Sequence, residues 1–251
     1  MAIRRLSFAN MQQAHTYKSL TQIVLEHLRE QIYEGKRKPG AKLNIADIAK
    51  EFEISHLPVR EALRNLEAEG LIEIHHNRGA VVKMLTPEDV REIFLIRAPL
   101  EETAAAEATQ RWRARAELGG LERILQQMDK KTNTPEWYRL HHNFHNEVLQ
   151  LANLPRIKKL IEVYRGQMRA YVKLYLSSPP MLAMTQSEHY EMLECMVNRD
   201  ADGIRLIVRE HLARPVREIL KILQADAAQA QAPPPPKPAR KRAVARSARE
   251  A

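Results

Sequence analysis

The chain has 251 residues, of which 44% are hydrophobic and 28% charged, and its formal net charge is +9. This length and apolar content suffice for one large or two ordinary domains and exclude a wholly disordered chain. Aromatic residues make up only 5%, which favours helices over sheets. The single cysteine, Cys195, cannot form an internal disulfide, and no apolar run reaches the roughly 20 residues that span a bilayer. We therefore expect a mainly α protein in the cytoplasm.

Residues 16–86 are predicted to form a separate domain after a flexible N-terminal arm, residues 1–15. A helix is predicted over residues 16–34, and Gly35 and Pro39 follow its end. Its apolar side chains recur at helical spacing, which predicts one buried face. These residues are Leu20, Ile23, Val24, Leu28 and Ile32.

A helix-turn-helix pattern follows. Residues 45–52 repeat apolar side chains at helical spacing, and Glu53-Ile54 form a turn. Ser55 is a predicted N-cap, whose hydroxyl accepts from a free backbone N–H of the next helix, and Pro58 lies in the first turn. Gly70 ends that helix. Its buried stripe is predicted to consist of Val59, Ala62, Leu63 and Leu66.

The opposite face of this second helix is basic. His56, Arg60 and Arg64 recur every four residues and are predicted to point outward together. A helix fits the major groove of DNA, where Arg donates twice to guanine. The alternative is that Arg60 and Arg64 only solvate an exposed helix, paired with Glu61 or Glu67.

The alternation in residues 71–74 and the segment 80–82, joined by a turn at 75–79, predict a β-hairpin wing. Together with the three helices, this hairpin predicts a winged helix-turn-helix domain over residues 16–86.

A second domain, residues 87–224, is predicted to be an all-helical bundle of about six helices. Thr86 is a predicted N-cap and Pro87 suits the first helical position. The predicted helices span about 87–112, 114–131, 135–152, 155–177, 180–198 and 201–224.

Four histidines of this second domain suggest a metal site. His141 and His145 stand four apart, so both imidazoles lie on one helical face, and His189 and His211 lie on two later helices. Imidazole suits zinc, nickel, copper or iron. The alternative is that these are separate polar or satisfied interior histidines. Pro215 follows His211 by four positions and is predicted to bend the helix there.

The C-terminal segment, residues 225–251, is predicted to be a disordered basic tail. It contains Pro233 to Pro236, six Lys or Arg and two Asp or Glu. It either adds salt-sensitive affinity for DNA phosphates or only improves solubility.

The N-terminal domain resembles the GntR-type bacterial transcription regulators of the FadR branch. The resemblance rests on the run LPVREALRNLEAEGLI, on Pro39 to Leu43 before it and on Asn77 to Ala80 after it. It implies that Ser55, His56, Leu57 and Arg60 face DNA and that His76 and Asn77 reach the minor groove from the wing tip. Relatives usually have Ser-Arg-Thr-Pro where this chain has Ser55-His56-Leu57-Pro58, which changes the expected base preference.

Residues 90–222 resemble the all-helical ligand-binding FCD domain of the same branch, with Arg97 and Glu101 in its opening helix. The resemblance implies a divalent metal held by an Asp, a His four residues later and two further His separated by 22 positions. His145 fits the second ligand, and His189 and His211 fit the last two. His141 replaces the Asp, which favours zinc or nickel over magnesium or calcium. An empty polar pocket that binds effector without metal remains the alternative.

The resemblance further implies that the metal anchors a small organic acid. Arg97 and Arg169 are the candidate effector-binding cations, Arg169 on its helix placement alone. Either arginine is alternatively part of a structural ion pair. We expect a homodimer that reads an inverted repeat in double-stranded DNA, acts as a repressor and responds to the acid. The rival interpretations are a metalloenzyme using the four histidines and a non-specific architectural DNA-binding protein.

Overall fold

The computed structural model describes residues 19–75, 79–132 and 134–231, with the backbone alone for 226–231. Its elements follow the predicted order. The N-terminal domain contains α1 (Leu20–Tyr33), β1 (Lys42–Leu43), α2 (Ile45–Phe52), α3 (His56–Ala68), β2 (Ile72–His75) and β3 (Gly79–Val82). The second domain contains α4 (Pro87–Arg111), α5 (Gly119–Lys130), α6 (Pro135–Ala152), α7 (Pro155–Tyr175), α8 (Pro179–Asn198) and α9 (Ala201–Gln231).

The three N-terminal helices and the wing share one core. Apolar faces of α1, α2 and α3 pack together, and the predicted stripe of α3 is fully buried. Gly70 has a φ of +70°, and the amides of Gly70 and Leu71 donate to the carbonyls of Glu67 and Leu66. This Schellman arrangement ends α3 and turns the chain into the wing.

The wing is a three-stranded antiparallel sheet in the order β1-β3-β2. The predicted hairpin is confirmed, with Ile72 opposite Val82 and His75 opposite Gly79. The expectation of only two strands was wrong, because Lys42-Leu43 pairs with the outer side of β3. A strand of two residues is too short to give an alternating pattern.

The second domain is helical, and α4 packs along α9 at its centre. Its core lies between α4, α5, α6, α8 and α9. The predicted helix over 114–131 is instead a 3-10 turn, Arg115–Leu118, followed by α5. The helix predicted to end at 224 continues to Gln231, since its Ala-rich end has high helix propensity. The predicted N-terminal arm (1–15) and residues 232–251 of the basic tail lie outside the described residues.

The two domains contact each other through α1 and α7. A small apolar cluster from Leu85, α4, α7 and α9 fills the space next to this contact. Among the described residues, no helix is both long and apolar enough to cross a membrane.

Candidate functional site

The outward face of α3 is open to solvent. Ser55, His56, Leu57, Arg60 and Arg64 are all exposed, with Leu57 at 66%. Among the described residues, Arg60 and Arg64 have no ion-pair partner. Glu61 instead accepts from the Thr21 hydroxyl at 2.8 Å, and Glu67 accepts from the Ile74 amide at 2.9 Å. Both arginines therefore remain available for an external acceptor.

Two predictions for this surface have different outcomes. Ser55 stands at the N-cap position of α3 with extended backbone, but its hydroxyl makes no capping hydrogen bond, so that prediction was wrong. The amides of the first turn of α3 are thus not satisfied by Ser55. His76 and Asn77, predicted at the wing tip, lie outside the described residues.

The four predicted histidines meet at one point in the second domain. His141 and His145 come from α6, His189 from α8 and His211 from α9. The Nε2 atom of His145 lies 3.3 Å from that of His141, 3.3 Å from that of His189 and 3.2 Å from that of His211. Three helices distant in sequence thus present imidazole nitrogens to a common centre.

Neighbouring side chains fix the orientation of these rings. His211 Nδ1 lies 2.8 Å from Glu188 Oε2, and Arg214 donates to the other carboxylate oxygen of Glu188 at 3.0 Å. Trp137 stacks on His141 with ring centroids 5.3 Å apart. Because its Nδ1 is engaged by Glu188, His211 presents Nε2 to the centre.

Glu188 was not among the site residues predicted from the sequence. It precedes His189 directly, but no spacing signal distinguishes it from the exposed acids of α8. Its role depends on α9, which brings His211 against it from 23 positions later in the chain.

Burial keeps most of these imidazoles neutral. It lowers the pKa of His141, His145 and His189 well below the usual value, and the neighbouring histidines lower the pKa of each further. His142, which lines the same pocket outside the cluster, has its pKa lowered to about 4 by burial and by Arg165 and Arg169. Neutral imidazole is the form that ligates metals.

The cluster fits a divalent transition metal. Imidazole nitrogens bound to zinc at 2.0–2.1 Å stand about 3.3 Å apart in a tetrahedral shell. The three separations from His145 Nε2, 3.2–3.3 Å, are close to this value, and the four ligand nitrogens all lie within 4.8 Å of one another. Four neutral nitrogen donors suit zinc or nickel and not magnesium or calcium, which prefer oxygen.

The cluster opens into a cavity of about 540 Å³. His141, His145 and His211 line it, and Arg97, Arg165, Arg169 and Lys173 provide its cationic wall. The N-terminal domain closes one side with Glu30, Tyr33 and Glu34 of α1. This contribution was not predicted from the sequence, because it arises only from the packing of α1 on α7.

Arg97 is both a pocket residue and part of a buried ion pair. Its Nη2 lies 2.7 Å from Glu101 Oε1, and Arg165 Nη2 lies 2.9 Å from Glu101 Oε2. Burial raises the pKa of Glu101, but the charges of Arg165 and Arg97 outweigh that effect and lower it to about 2. One carboxylate between two guanidinium groups leaves a surplus positive charge at the pocket wall.

Tyr175 adds a buried polar atom to the cavity wall. The residue is 6% exposed and lines the cavity beside Thr185, whose side chain lies close enough to the Tyr175 hydroxyl to offset part of the rise in its pKa that burial causes. Within the described part of the chain this hydroxyl has no well-formed hydrogen bond, so a bound molecule can complete its hydrogen bonding.

A three-helix head with a small wing and exposed arginines, joined to a helical domain with a preformed pocket, defines a DNA-binding regulator. Comparisons with known proteins agree. The model for "Bacterial regulatory proteins, gntR family" matches residues 20–82, and the FCD domain model matches residues 92–214.

The HTH-type transcriptional regulator YdhC of Bacillus subtilis (strain 168) is 35% identical over 205 residues, which are 78% of this chain and 89% of the relative. The HTH-type transcriptional repressor RspR of Escherichia coli (strain K12) is 25% identical, over 86% of this chain and 95% of the relative. The solved structure of E. coli McbR/YncC has the same fold, with a TM-score of 0.67, 24% identity and coverage of 84% and 99%.

The chain belongs to the GntR family of bacterial transcription regulators, in the FadR-like branch with an FCD domain. The predicted family, fold class and DNA-binding function are thereby confirmed. The family consists of transcription regulators, so the metalloenzyme interpretation was wrong.

Proposed function

We propose that this regulator is a repressor whose affinity for its operator changes when a small organic acid binds in the histidine pocket. One observation supports this most strongly: the imidazole cluster opens into a cavity whose wall is completed by α1 of the DNA-binding domain. A molecule in that cavity touches both domains. It therefore shifts the equilibrium between domain arrangements to the extent that it binds one of them better.

The reading surface in this proposal is the exposed face of α3. Arg60 donates to guanine in the major groove, and Ser55, His56, Leu57 and Arg64 lie next to it. We expect His76 and Asn77 to reach the neighbouring minor groove. Repression, as opposed to activation, is supported by the name of the relative RspR. We expect the protein to act in the cytoplasm, where it meets chromosomal DNA.

The effector pocket in this proposal uses His141, His145, His189 and His211 to hold zinc or nickel. When bound, the metal supplies a Lewis-acidic centre that attracts a carboxylate. The surrounding residues then select the acid: Arg97 contributes the surplus charge next to Glu101, and Tyr175 offers its buried hydroxyl. A buried divalent ion with four neutral ligands keeps its full charge, so the pocket favours an anionic guest.

We propose a homodimer because of the way winged helix-turn-helix domains bind DNA. One DNA-binding domain contacts few bases, whereas two such domains related by a two-fold axis bind an inverted repeat. The helices α4 and α9 expose Leu95 and Leu206, at 70% and 71%, on the helical domain. We propose that the surfaces around these two leucines take part in the dimer contact. Leu206→Arg should then convert a dimer to a monomer in analytical ultracentrifugation.

The metal and effector parts of the proposal are tested together on the native protein. Elemental analysis should find about one zinc or nickel per chain, and a panel of carboxylic acids should raise the unfolding temperature. Both effects should disappear in His145→Ala. The proposal is wrong if no acid stabilises the metal-loaded protein, or if stabilisation persists in that variant.

A further inference from the structure

Helix α7 presents a row of three cations to the cavity. Arg165, Arg169 and Lys173 stand four residues apart, so their side chains follow one face of the helix, and all three line the pocket. Their partners differ. Arg165 pairs with the buried Glu101 of the same domain, whereas Arg169 and Lys173 both reach across to α1.

The ion pair that Arg169 makes with α1 is weak and accessible. Arg169 Nη2 lies 3.3 Å from Glu30 Oε1, and its guanidinium lies 4.7 Å from the ring centroid of Tyr33. Lys173 Nζ donates to the backbone carbonyl of Glu34 at 3.0 Å. The side chains of Arg169 and Glu30 are 28% and 51% exposed, and ion pairs as exposed as this stabilise a protein little.

The other acids at the rim already have partners. Glu34 pairs with Lys36, and Glu136 pairs with Lys131 at 3.0 Å. Glu30 is therefore the acid that pairs with Arg169. Because its side chain is exposed, replacing it with another anion costs little free energy.

Helices α1 and α7 lie in close contact, so replacement of Glu30 by another anion at Arg169 can affect the DNA-binding domain. A Cβ atom at Gly166 would collide with the Tyr33 hydroxyl, so the glycine lets the Tyr33 side chain of α1 lie directly against α7. One residue further along, Gln167 donates to the Glu69 carbonyl of the DNA-binding domain at 2.8 Å. Helix α7 thus both lines the pocket and contacts the DNA-binding domain.

The size of the cavity indicates a guest larger than one carboxylate. Its volume of about 540 Å³ lies within the range of pockets that enclose whole metabolite-sized molecules. A short monoacid at the imidazoles leaves the Arg169 end unfilled.

We infer that Arg169 and Lys173 form a second anion-binding subsite and that the effector is an acid with two anionic groups, one at the histidine cluster and one here. The inference rests on the proposed function. Occupation of this subsite competes with Glu30 and with the Glu34 carbonyl, and so loosens α1 from α7. An acid with a single anionic group binds without doing this.

The test uses the full-length, metal-loaded protein and matched pairs of acids: glutarate, adipate and suberate against pentanoate, hexanoate and octanoate. Isothermal titration calorimetry should show the best diacid binding at least about tenfold more tightly than its monoacid, the effect of one charge-assisted contact. In the double variant Arg169→Gln/Lys173→Gln, this preference should fall to within about twofold while monoacid affinity stays unchanged. Arg139→Gln, a rim cation paired with Glu136, is the control and should keep the preference.

Hydrogen exchange on the unmutated protein gives a second readout. The best diacid should speed exchange in the last turn of α1, around Glu30 to Glu34, and the matched monoacid should not. Equal affinities for diacids and monoacids, or a preference that survives the double variant, overturn the second subsite alone. Failure of every acid to bind overturns the proposed function instead.

Discussion

Arg60 and Arg64 on α3 are exposed and have no ion-pair partner among the described residues, whereas the four histidines are enclosed and supported by their neighbours. The outward face of α3 can form ion pairs or hydrogen bonds only with another molecule. The histidine cluster is organised before anything binds, because Glu188 and Trp137 already orient its rings. Substitutions on α3 should therefore change DNA binding without changing stability, and substitutions around the histidines should change ligand binding without changing DNA contacts directly.

The largest effect is expected at the centre of the cluster. His145→Ala removes the imidazole that lies within 3.3 Å of the other three, and metal affinity should fall by more than about a hundredfold. Metal titration with a competing chelator measures this. His142→Ala is the matched control, since His142 lines the pocket outside the cluster. Equal losses in the two variants would contradict the assigned ligands.

The exposed surface of α3 is tested by the substitution Arg60→Ala. Loss of a bidentate guanine contact should cost about 1–3 kcal/mol at each half-site, while affinity for scrambled DNA and the unfolding temperature stay unchanged. Fluorescence anisotropy at fixed salt gives both affinities. Arg156→Ala, an exposed arginine at the start of α7, should have no effect. A parallel loss on operator and scrambled DNA would mean that Arg60 only contacts phosphate.

The importance of ring orientation is tested by Glu188→Gln. The amide keeps the shape of the carboxylate but loses the charge that holds His211 and Arg214, so metal affinity should fall about tenfold. The same chelator titration applies. Glu191→Gln changes an exposed acid on the same helix and should leave the affinity as it is. An unchanged affinity in Glu188→Gln would show that the ring needs no carboxylate to orient it.

The smallest effect is expected where the two domains meet, at the contact between α1 and α7. Gly166→Ala places a methyl group against the Tyr33 hydroxyl, and the shift of that side chain should cost about 1 kcal/mol in the free energy of unfolding. Adding Tyr33→Phe should recover part of the loss. Gly119→Ala is the control, because a Cβ there meets nothing within 4 Å. If Gly166→Ala is as stable as Gly119→Ala, α1 does not lie on α7 as described.

The sequence predicted those features that depend on local periodicity. The buried stripe of α3, the histidine pair on α6 and the proline-led starts of α4 and α6 follow from spacing and capping rules, and the structure has them. Strand β1 was not predicted, because two residues show no alternation. Ser55 lies at the N-cap position as predicted, but its hydroxyl does not make the predicted capping hydrogen bond.

The remaining features depend on packing between distant segments. Glu188 reaches His211 only once α8 and α9 are adjacent, and Tyr33 joins the pocket only because α1 lies on α7. Arg169 was placed near the site by helix position, but its partner Glu30 is 139 residues away. Such pairs leave no pattern in a single sequence.

The coupling between the histidine pocket and the DNA-binding domain is tested most directly by measuring the affinity of the protein for its operator with and without a bound acid. Fluorescence anisotropy on DNA from the regulated promoter should show at least about a fivefold change when saturating adipate is added to the metal-loaded protein. Scrambled DNA should show none. If calorimetry demonstrates adipate binding while operator affinity stays the same, the pocket does not control the DNA-binding domain.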